Sequence, residues 1–280
     1  MEGVIIKDKN CIKRPEDIDW EFFWQEKLNQ KRRKPKNWDN EADEFSKRSK
    51  QDEYQENLFS KMRISKEDTI IDLGCGEGSI TIPLAKKTKY VTAVDSSTRM
   101  LEILNEKCEK ENINNVKTIK KELEEASLEE VGEHDIVLLS RSINGIFPIK
   151  DTLKNINKIS KKYVYMTLFG PENWKFENDF YESIGKKTND FAPYSYIFNI
   201  LIDMGIYPNI ENLEINSNRK YKTIQDAMEN GKWQLNTLTE EEKKELYNYL
   251  DKKLKKNSEG MLENPDDKAD WVLIWWKKSN

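Results

Sequence analysis

The apolar residues of this 280-residue chain follow two spacings. Short continuous apolar runs, typical of buried strands, occur at 69–73, 90–95, 115–120, 134–140 and 163–169. The segments between these runs carry apolar residues three and four positions apart, as amphipathic helices do. Strands that alternate with helices are typical of a parallel sheet covered by helices, so the pattern predicts an α/β core over 63–169.

Three helical stripes precede this core and predict an N-terminal helical extension or lid over 1–62. The apolar positions of the three stripes are Trp20, Phe23, Trp24 and Leu28; Trp38, Ala42 and Phe45; and Tyr54, Leu58 and Met62. Helices of this kind are expected to pack on the sheet. The basic cluster Lys31–Lys36 between the first two stripes favours a solvated linker, and an electrostatic handle for an anionic partner is the alternative.

The remaining residues, 170–280, are expected to carry aromatic-rich cap helices and the last two strands of the same sheet. Nine aromatic residues crowd 174–207, a density that indicates a helical cap, a substrate pocket or both. Helices are predicted at 194–204, at 223–230 and after a capping box at Thr239. A weak strand is predicted at 208–215, and the apolar run 271–276 predicts a strand buried on both faces.

A glycine-rich loop follows the first predicted strand. Gly74, Gly76 and Gly78 let the backbone turn sharply and approach a ligand closely, next to the N–H groups of a helix start. Glycine loops also bind pyrophosphate, but the spacing here is Gly-x-Gly-x-Gly, and Asp72 and Glu77 would repel an anion. A ligand with a cationic amino group and a sulfonium fits better, which points to S-adenosylmethionine. Structural glycines in a plain strand–turn–helix are the alternative.

The second predicted strand ends in Asp95, a carboxylate able to accept hydrogen bonds from ribose hydroxyls. With the two motifs 72–78 and 94–97, the chain resembles the class I S-adenosylmethionine-dependent methyltransferases. It is most similar to the group that includes the ubiquinone and menaquinone methyltransferases. The resemblance spans about 69–169 and implies a Rossmann-like, mostly parallel seven-stranded sheet of order 3-2-1-4-5-7-6. Its last strand would be antiparallel and central. The helical insert that the sequence predicts before this strand departs from the family, whose members often have a tight hairpin there.

The motifs and the resemblance together nominate site residues. The cofactor-binding candidates are Asp72, Gly74, Cys75, Gly76, Gly78, Asp95, Ser96, Met100, Glu122 and Ser140. The substrate candidates are Trp38, Tyr54, Arg141, Asn144 and Tyr194. In the resembling family a segment like 38–45 folds over the cofactor mouth, and an acid such as Glu122 contacts the adenine. The alternatives are plain packing for the aromatic residues and solvent-facing carboxylates or surface ion pairs for the charged ones.

The composition of the chain narrows the classes of molecule that it is expected to bind. Charged residues make up 35% of the chain but the net charge is only −4, so no overall basic field attracts nucleic acid. The residues after the fourth strand lack the Asn/Asp-Pro-Pro-aromatic and Pro-Cys motifs of two classes of nucleic-acid methyltransferase. Three cysteines without metal or disulfide spacing predict a reduced cytoplasmic protein without a metal site, and no apolar run reaches membrane-spanning length.

The leading functional hypothesis is methyl transfer from S-adenosylmethionine to a small molecule or a protein side chain. Because the cofactor already activates the methyl group, a general base is optional, and no catalytic residue is assigned. The only histidine, His134, begins the fourth strand, at the end of the sheet away from the methyl group. A non-catalytic cofactor-binding or scaffold protein is the alternative, and a nicotinamide dehydrogenase is disfavoured by the glycine spacing.

Overall fold

The computed structural model of the protein describes residues 17–29, 37–48, 53–187, 193–215 and 218–278. The basic cluster Lys31–Lys36 lies outside these ranges. Within them the main sheet has seven strands, and each apolar run of the sequence forms one of these strands. The strands are β1 (Thr69–Leu73), β2 (Tyr90–Asp95), β3 (Val116–Lys120), β4 (His134–Leu139), β5 (Ser160–Phe169), β6 (Asn209–Leu213) and, last in the chain, β10 (Trp271–Lys277).

The order of the main sheet is β3-β2-β1-β4-β5-β10-β6, with β10 antiparallel to both of its neighbours. Counted along the described strands of this sheet, this is the predicted order 3-2-1-4-5-7-6, which is therefore confirmed. The central place of β10 explains its continuous apolar run, because both of its faces are covered over Val272–Ile274. The carboxyl ends of β1, β2, β4 and β5 share one edge of the sheet, and β10 begins at that edge.

Eleven helices surround the strands in the described ranges. They are α1 (Trp20–Asn29), α2 (Trp38–Arg48), α3 (Glu53–Lys61), α4 (Thr81–Ala85), α5 (Thr98–Lys110), α6 (Leu128–Val131), α7 (Ile149–Ile159), α8 (Lys175–Ser183), α9 (Tyr194–Asp203), α10 (Ile224–Asn230) and α11 (Glu240–Lys253). None of them is both long and apolar enough to traverse a lipid bilayer. The predicted helices over 194–204 and 223–230 and the Thr239 capping box are confirmed.

Alternate residues of the strands pack into two apolar layers. On one face, Ile71 and Val137 pack with Trp24 of α1 and with α7 and α9. On the other face, Ile70 and Ile136 pack with α3 and α4. Helices α1 and α3 therefore lie on the sheet as expected, whereas α2 packs on α5.

The expected helical insert before the last strand also contains a second sheet. Strands β7 (Asn218–Tyr221), β8 (Lys255–Lys256) and β9 (Leu262–Lys268) form it in the order β7-β9-β8. The segment 262–268 contains a proline and four charged residues, so it shows no apolar alternation that would predict a strand. Arg219 holds this sheet against α8 through ion pairs with Glu177 (2.6 Å) and Asp267 (2.6 Å).

The single histidine lies where the sequence places it, at the amino end of β4. His134 is buried; its Nε2 lies 2.8 Å from the Thr92 hydroxyl and its Nδ1 lies 3.3 Å from the Gly132 carbonyl oxygen. Burial lowers the pKa of His134, with a smaller lowering contribution from Lys161 and an opposing one from Asp135. The folded protein therefore holds this imidazole neutral at pH values where the unfolded chain protonates it.

We expect the free energy of unfolding to fall as the pH is lowered below about 6.5, because the unfolded chain then binds a proton that the folded His134 does not. In His134→Gln this part of the pH dependence should disappear, as measured by denaturant unfolding across the range. The lone imidazole resonance can be followed directly by proton NMR. A titration midpoint at or above 6.5 in the folded protein would contradict the assignment.

Candidate functional site

The glycine loop after β1 is shaped by three residues with positive φ: Gly74 (77°), Gly76 (55°) and Gly78 (86°). A Cβ on Gly74 would overlap the Ser142 side chain, and one on Gly78 would overlap Leu104. At Gly76 the nearest atom to such a Cβ is Met100 Sδ, 4.0 Å away. Gly74 and Gly78 thus serve internal packing, whereas Gly76 borders open space in which a ligand can approach the backbone.

Asp95 closes this loop from the end of β2. Its carboxylate accepts hydrogen bonds from the backbone N–H groups of Gly76 (2.8 Å) and Ser97 (2.9 Å). Burial raises the pKa of Asp95, and the N–H groups of Ser97, Gly76 and Ser96 oppose that rise. Ser96 therefore contributes its backbone, and the carboxylate lies beside Gly76.

Asp72 lies beneath the loop and is almost fully buried. The Thr81 hydroxyl donates to its Oδ2 (2.7 Å), and Oδ1 has no hydrogen-bond partner among the described residues. Burial raises the pKa of Asp72 to about 7, and the nearby charge of Asp95 adds to the rise. A buried carboxylate without a cationic partner favours a positively charged ligand nearby.

Two further loop residues, Cys75 and Glu77, make contacts within the protein. Cys75 is buried against Ile82 and Leu101, and burial raises the pKa of its thiol well above the ordinary value, which does not suit a nucleophile. Glu77 is buried and pairs with Lys107 of α5. The sequence argument that Glu77 repels a phosphate is therefore wrong in its cause, because Lys107 compensates that charge.

The other cofactor candidates follow β2, β3 and β4 at the same end of the sheet. Met100 is buried on α5 next to Gly76. Glu122 is exposed just after β3, one residue beyond Lys121, whose N–H donates to the Asp95 carbonyl oxygen (3.0 Å). Ser140 follows β4, and its hydroxyl bonds to the side chain of Tyr54.

Tyr54 and Arg141 lie at the same edge of the sheet, beside the carboxyl ends of β4 and β5. The Tyr54 hydroxyl is buried within 2.7 Å of both the Ser140 and the Thr167 hydroxyl oxygens. Thr167 also accepts a hydrogen bond from the backbone N–H of Arg141 (2.8 Å). The exposed Arg141 guanidinium lies 4.1 Å from the Tyr54 ring centroid and 5.9 Å from that of Trp271. Sequence reasoning missed Thr167, which lies inside an apolar run without a motif.

Asn144 and Tyr194, two substrate candidates, have other contacts. The Asn144 side-chain carbonyl accepts a hydrogen bond from the Phe169 backbone N–H (3.4 Å), which ties the loop after β4 to the end of β5. Tyr194 begins α9 and packs on the apolar layer that contains Trp24 and Ile197.

Helix α2 covers the start of α5. The Asp39 carboxylate accepts hydrogen bonds from the Ser97 hydroxyl (2.7 Å) and the Arg99 backbone N–H (3.0 Å), and these bonds lower the pKa of Asp39. Ala42 is buried against Met100 and Ile103. The rings of Trp38 and Phe45 pack edge to face, each 40% exposed. Sequence analysis identified this helix but not Asp39; its place one residue after the start of α2 was the available signal.

Taken together, the residues around Gly76 fit S-adenosylmethionine. Two carboxylates with raised pKa values, Asp72 and Asp95, suit its positive charge, and the carboxylate of Asp95 suits ribose hydroxyls. The space beside Gly76, which a Cβ would enter, allows close approach to the backbone. Pyrophosphate fits poorly, because among the described residues neither carboxylate is paired with a cationic side chain.

Comparisons with known proteins agree with this geometry. An uncharacterised protein of Haemophilus influenzae is 28% identical over 266 residues, which cover 93% of this chain and 97% of that protein. Two solved structures share the fold. One is a chain from the complex between the Haloferax volcanii Trm112 methyltransferase activator and a proposed methyltransferase. It has a TM-score of 0.57 and 14% sequence identity, and the match covers 87% of this chain and 95% of that one. The other is the YcgJ protein of Bacillus subtilis, with a TM-score of 0.54, 12% identity and coverage of 81% and 98%.

The family assignment rests on a longer match. Residues 64–254 match the sequence model of a family described as a methyltransferase domain. The match spans more than half of the chain and includes the glycine loop, Asp95 and the loop after β4. The chain therefore belongs to the methyltransferase domain family and is an S-adenosylmethionine-dependent methyltransferase.

Proposed function

We propose that the protein transfers a methyl group to a small molecule or a protein side chain, with S-adenosylmethionine bound over the loops that follow β1 and β2. The observation that carries the proposal is the Asp95 carboxylate, held 2.8 Å from the Gly76 N–H beside space that an L side chain would enter. A net charge of −4 argues against nucleic acid as the substrate.

The cofactor half of the site is assigned to the ends of β1 and β2. Asp95 would accept hydrogen bonds from the ribose hydroxyls, and the backbone of 74–78 would line the nucleoside, with Met100 packed beside Gly76. Asp72 would supply the compensating negative charge beneath the loop. Ser96, Glu122 and Ser140 border this half of the site, so they are assigned to it as well.

The reaction is an in-line displacement. When bound over Gly76 and Asp95, S-adenosylmethionine would supply a methyl group already activated by its positively charged sulfur, with the neutral thioether as the leaving group. The chain has to align donor and acceptor and exclude water. Tyr54 bonds to Ser140 and Thr167, which suits a positioning role better than that of a base.

The N-terminal region 1–62 supports this site through α2, which we assign as a lid. Asp39 joins α2 to the start of α5, three residues after Asp95, and Ala42 packs on Met100. Closure by a helix at this place would exclude water from the cofactor. The cap 170–280 and the core 63–169 would then enclose the acceptor between them.

Calorimetry with S-adenosylhomocysteine tests the proposal. We expect binding by the wild type and about a hundredfold weaker binding by Asp95→Ala, since charge-assisted hydrogen bonds contribute about 1.5–3 kcal/mol each. Asp151→Asn, an exposed aspartate paired with Lys154, is the control and should bind like the wild type. Equal affinity in Asp95→Ala and Asp151→Asn would refute the ribose assignment.

Absence of S-adenosylhomocysteine release during incubation with S-adenosylmethionine and a metabolite and protein extract would favour a non-catalytic binding protein.

The affinity for S-adenosylmethionine should rise as the pH is raised through about 7, because Asp72 then loses its proton and attracts the cationic ligand. The raised pKa of Asp95 acts in the same direction, so Asp72→Asn isolates the contribution of Asp72. Calorimetry on both sides of this pH should show a flatter profile in the variant. Identical profiles would show that Asp72 does not titrate with binding.

Asp39→Asn should speed dissociation of S-adenosylhomocysteine, because the carboxylate that joins α2 to α5 is lost. Asp151→Asn is the control, because Asp151 is an exposed aspartate of α7 that pairs with Lys154. Stopped-flow measurement should give a several-fold larger dissociation rate for the first variant than for the second. Indistinguishable rates would remove the lid assignment.

A further inference from the structure

A row of aromatic rings lies where β5 ends and β10 begins. The ring centroids of Tyr54 and Trp271 are 5.8 Å apart, those of Trp271 and Phe169 are 4.6 Å apart, and those of Phe169 and Trp174 are 6.2 Å apart. Trp271 and Phe169 are partly exposed, whereas Tyr54 and Trp174 are buried. We call these four residues the aromatic strip.

A cationic side chain lies on each end of the aromatic strip. Arg141 lies over the rings of Tyr54 (4.1 Å) and Trp271 (5.9 Å). Lys232 lies 4.2 Å from the ring centroid of Trp174 and donates to the Asn173 carbonyl oxygen (3.1 Å). A guanidinium can stack on rings through its face while its N–H groups donate in its plane, so stacking orients Arg141 for a planar anion.

The backbone at Arg141 is held in an unusual conformation. Its φ of 61° lies in the left-handed region, which non-glycine residues adopt at a free-energy cost. The hydrogen bond from its N–H to Thr167 stabilises that conformation, and Thr167 is fixed in turn by Tyr54. The chain therefore uses two buried hydroxyl groups to place this side chain at the end of β4.

The aromatic strip lies next to the glycine loop. Ser142, the residue after Arg141, donates from its hydroxyl to the Leu73 carbonyl oxygen (2.7 Å) and fills the space beside Gly74. The end of β4 and the cofactor loop are thus in direct contact. A molecule on the aromatic strip would lie beside the methyl group if the cofactor binds as proposed above.

We propose that the methyl acceptor is a small organic acid with a flat apolar body, whose carboxylate or phosphate group binds Arg141 while its body packs on Trp271 and Phe169. This inference rests on the proposed function and specifies its acceptor. The Arg141 guanidinium disfavours a second cationic group at the same place, which selects against amines and lysine side chains as acceptors. The partly exposed rings provide the apolar contact surface that such an acid requires.

Four matched probes test the charge preference on protein saturated with S-adenosylhomocysteine: naphthylacetate, naphthyl phosphate, naphthylethanol and naphthylethylamine. Saturation-transfer NMR titrations should show one or both anions binding at least about tenfold more tightly than the alcohol, and the amine most weakly. The stronger of the two anions identifies carboxylate or phosphate as the preferred group. Equal affinities for all four probes would overturn the proposal.

Variants show which side chain causes the preference for anionic probes. Arg141→Asn should bring the anions to the affinity of the alcohol, since asparagine tolerates the left-handed backbone but lacks the charge. Arg141→Lys should keep part of the preference. Arg63→Gln is the matched control, because Arg63 also stacks on two rings, Tyr163 and Trp275, at the opposite edge of the sheet. Trp271→Leu should weaken all four probes to a similar extent.

The outcomes separate this inference from the proposed function. Each variant is first checked for an unchanged melting temperature and for binding of S-adenosylhomocysteine. If the nucleoside binds but Arg141→Asn retains the full preference for anions, the acceptor assignment is wrong and the proposed function stands. If the wild type does not bind the nucleoside, the proposed function itself fails.

Discussion

The hydrogen bond from the Gly76 N–H to the Asp95 carboxylate joins the ends of two neighbouring parallel strands, and the proposed cofactor half of the site depends on it. The bond is possible because Gly74, Gly76 and Gly78 adopt positive φ angles that bring the loop back over β2. The same turn buries Asp72 beneath the loop. Two carboxylates are thus collected in a region of low polarity, where they favour a cationic ligand over an anionic one.

Asp72 and Asp95 lie at the ends of β1 and β2, whereas Arg141 follows β4 and Lys232 lies beyond the end of β5. If the cofactor and the acceptor bind as proposed, this arrangement would favour a positively charged donor beside a negatively charged acceptor. Methyl transfer requires that proximity, and electrostatic complementarity of this kind also selects against acceptors of the wrong charge.

The three N-terminal helices pack on the rest of the protein in two different ways. Helices α1 and α3 contribute Trp24, Tyr54 and Leu58 to the apolar layers on the two faces of the sheet, so they belong to the core itself. Helix α2 contributes only Ala42 to a small cluster with α5 and keeps Trp38 and Phe45 partly exposed. Helix α2 is held at one rim of the site by Asp39, by the Asp43–Arg99 ion pair and by Ala42, and such a helix opens more readily than one buried in the core.

Local spacing determined the strands, most helices and the glycine loop, because apolar periodicity and backbone freedom act over a few neighbouring residues. The order of the strands followed from the resemblance that those motifs carry, and the continuous apolar run 271–276 agreed with a central last strand. Tertiary structure alone decided the second sheet, where Arg219 pairs with Glu177 across 42 positions of sequence. It also decided that Glu77 pairs with Lys107 and that Arg141 stacks on Tyr54 and Trp271. These contacts join residues far apart in the chain, and their energy comes from packing and charge that exist only once the sheet has formed.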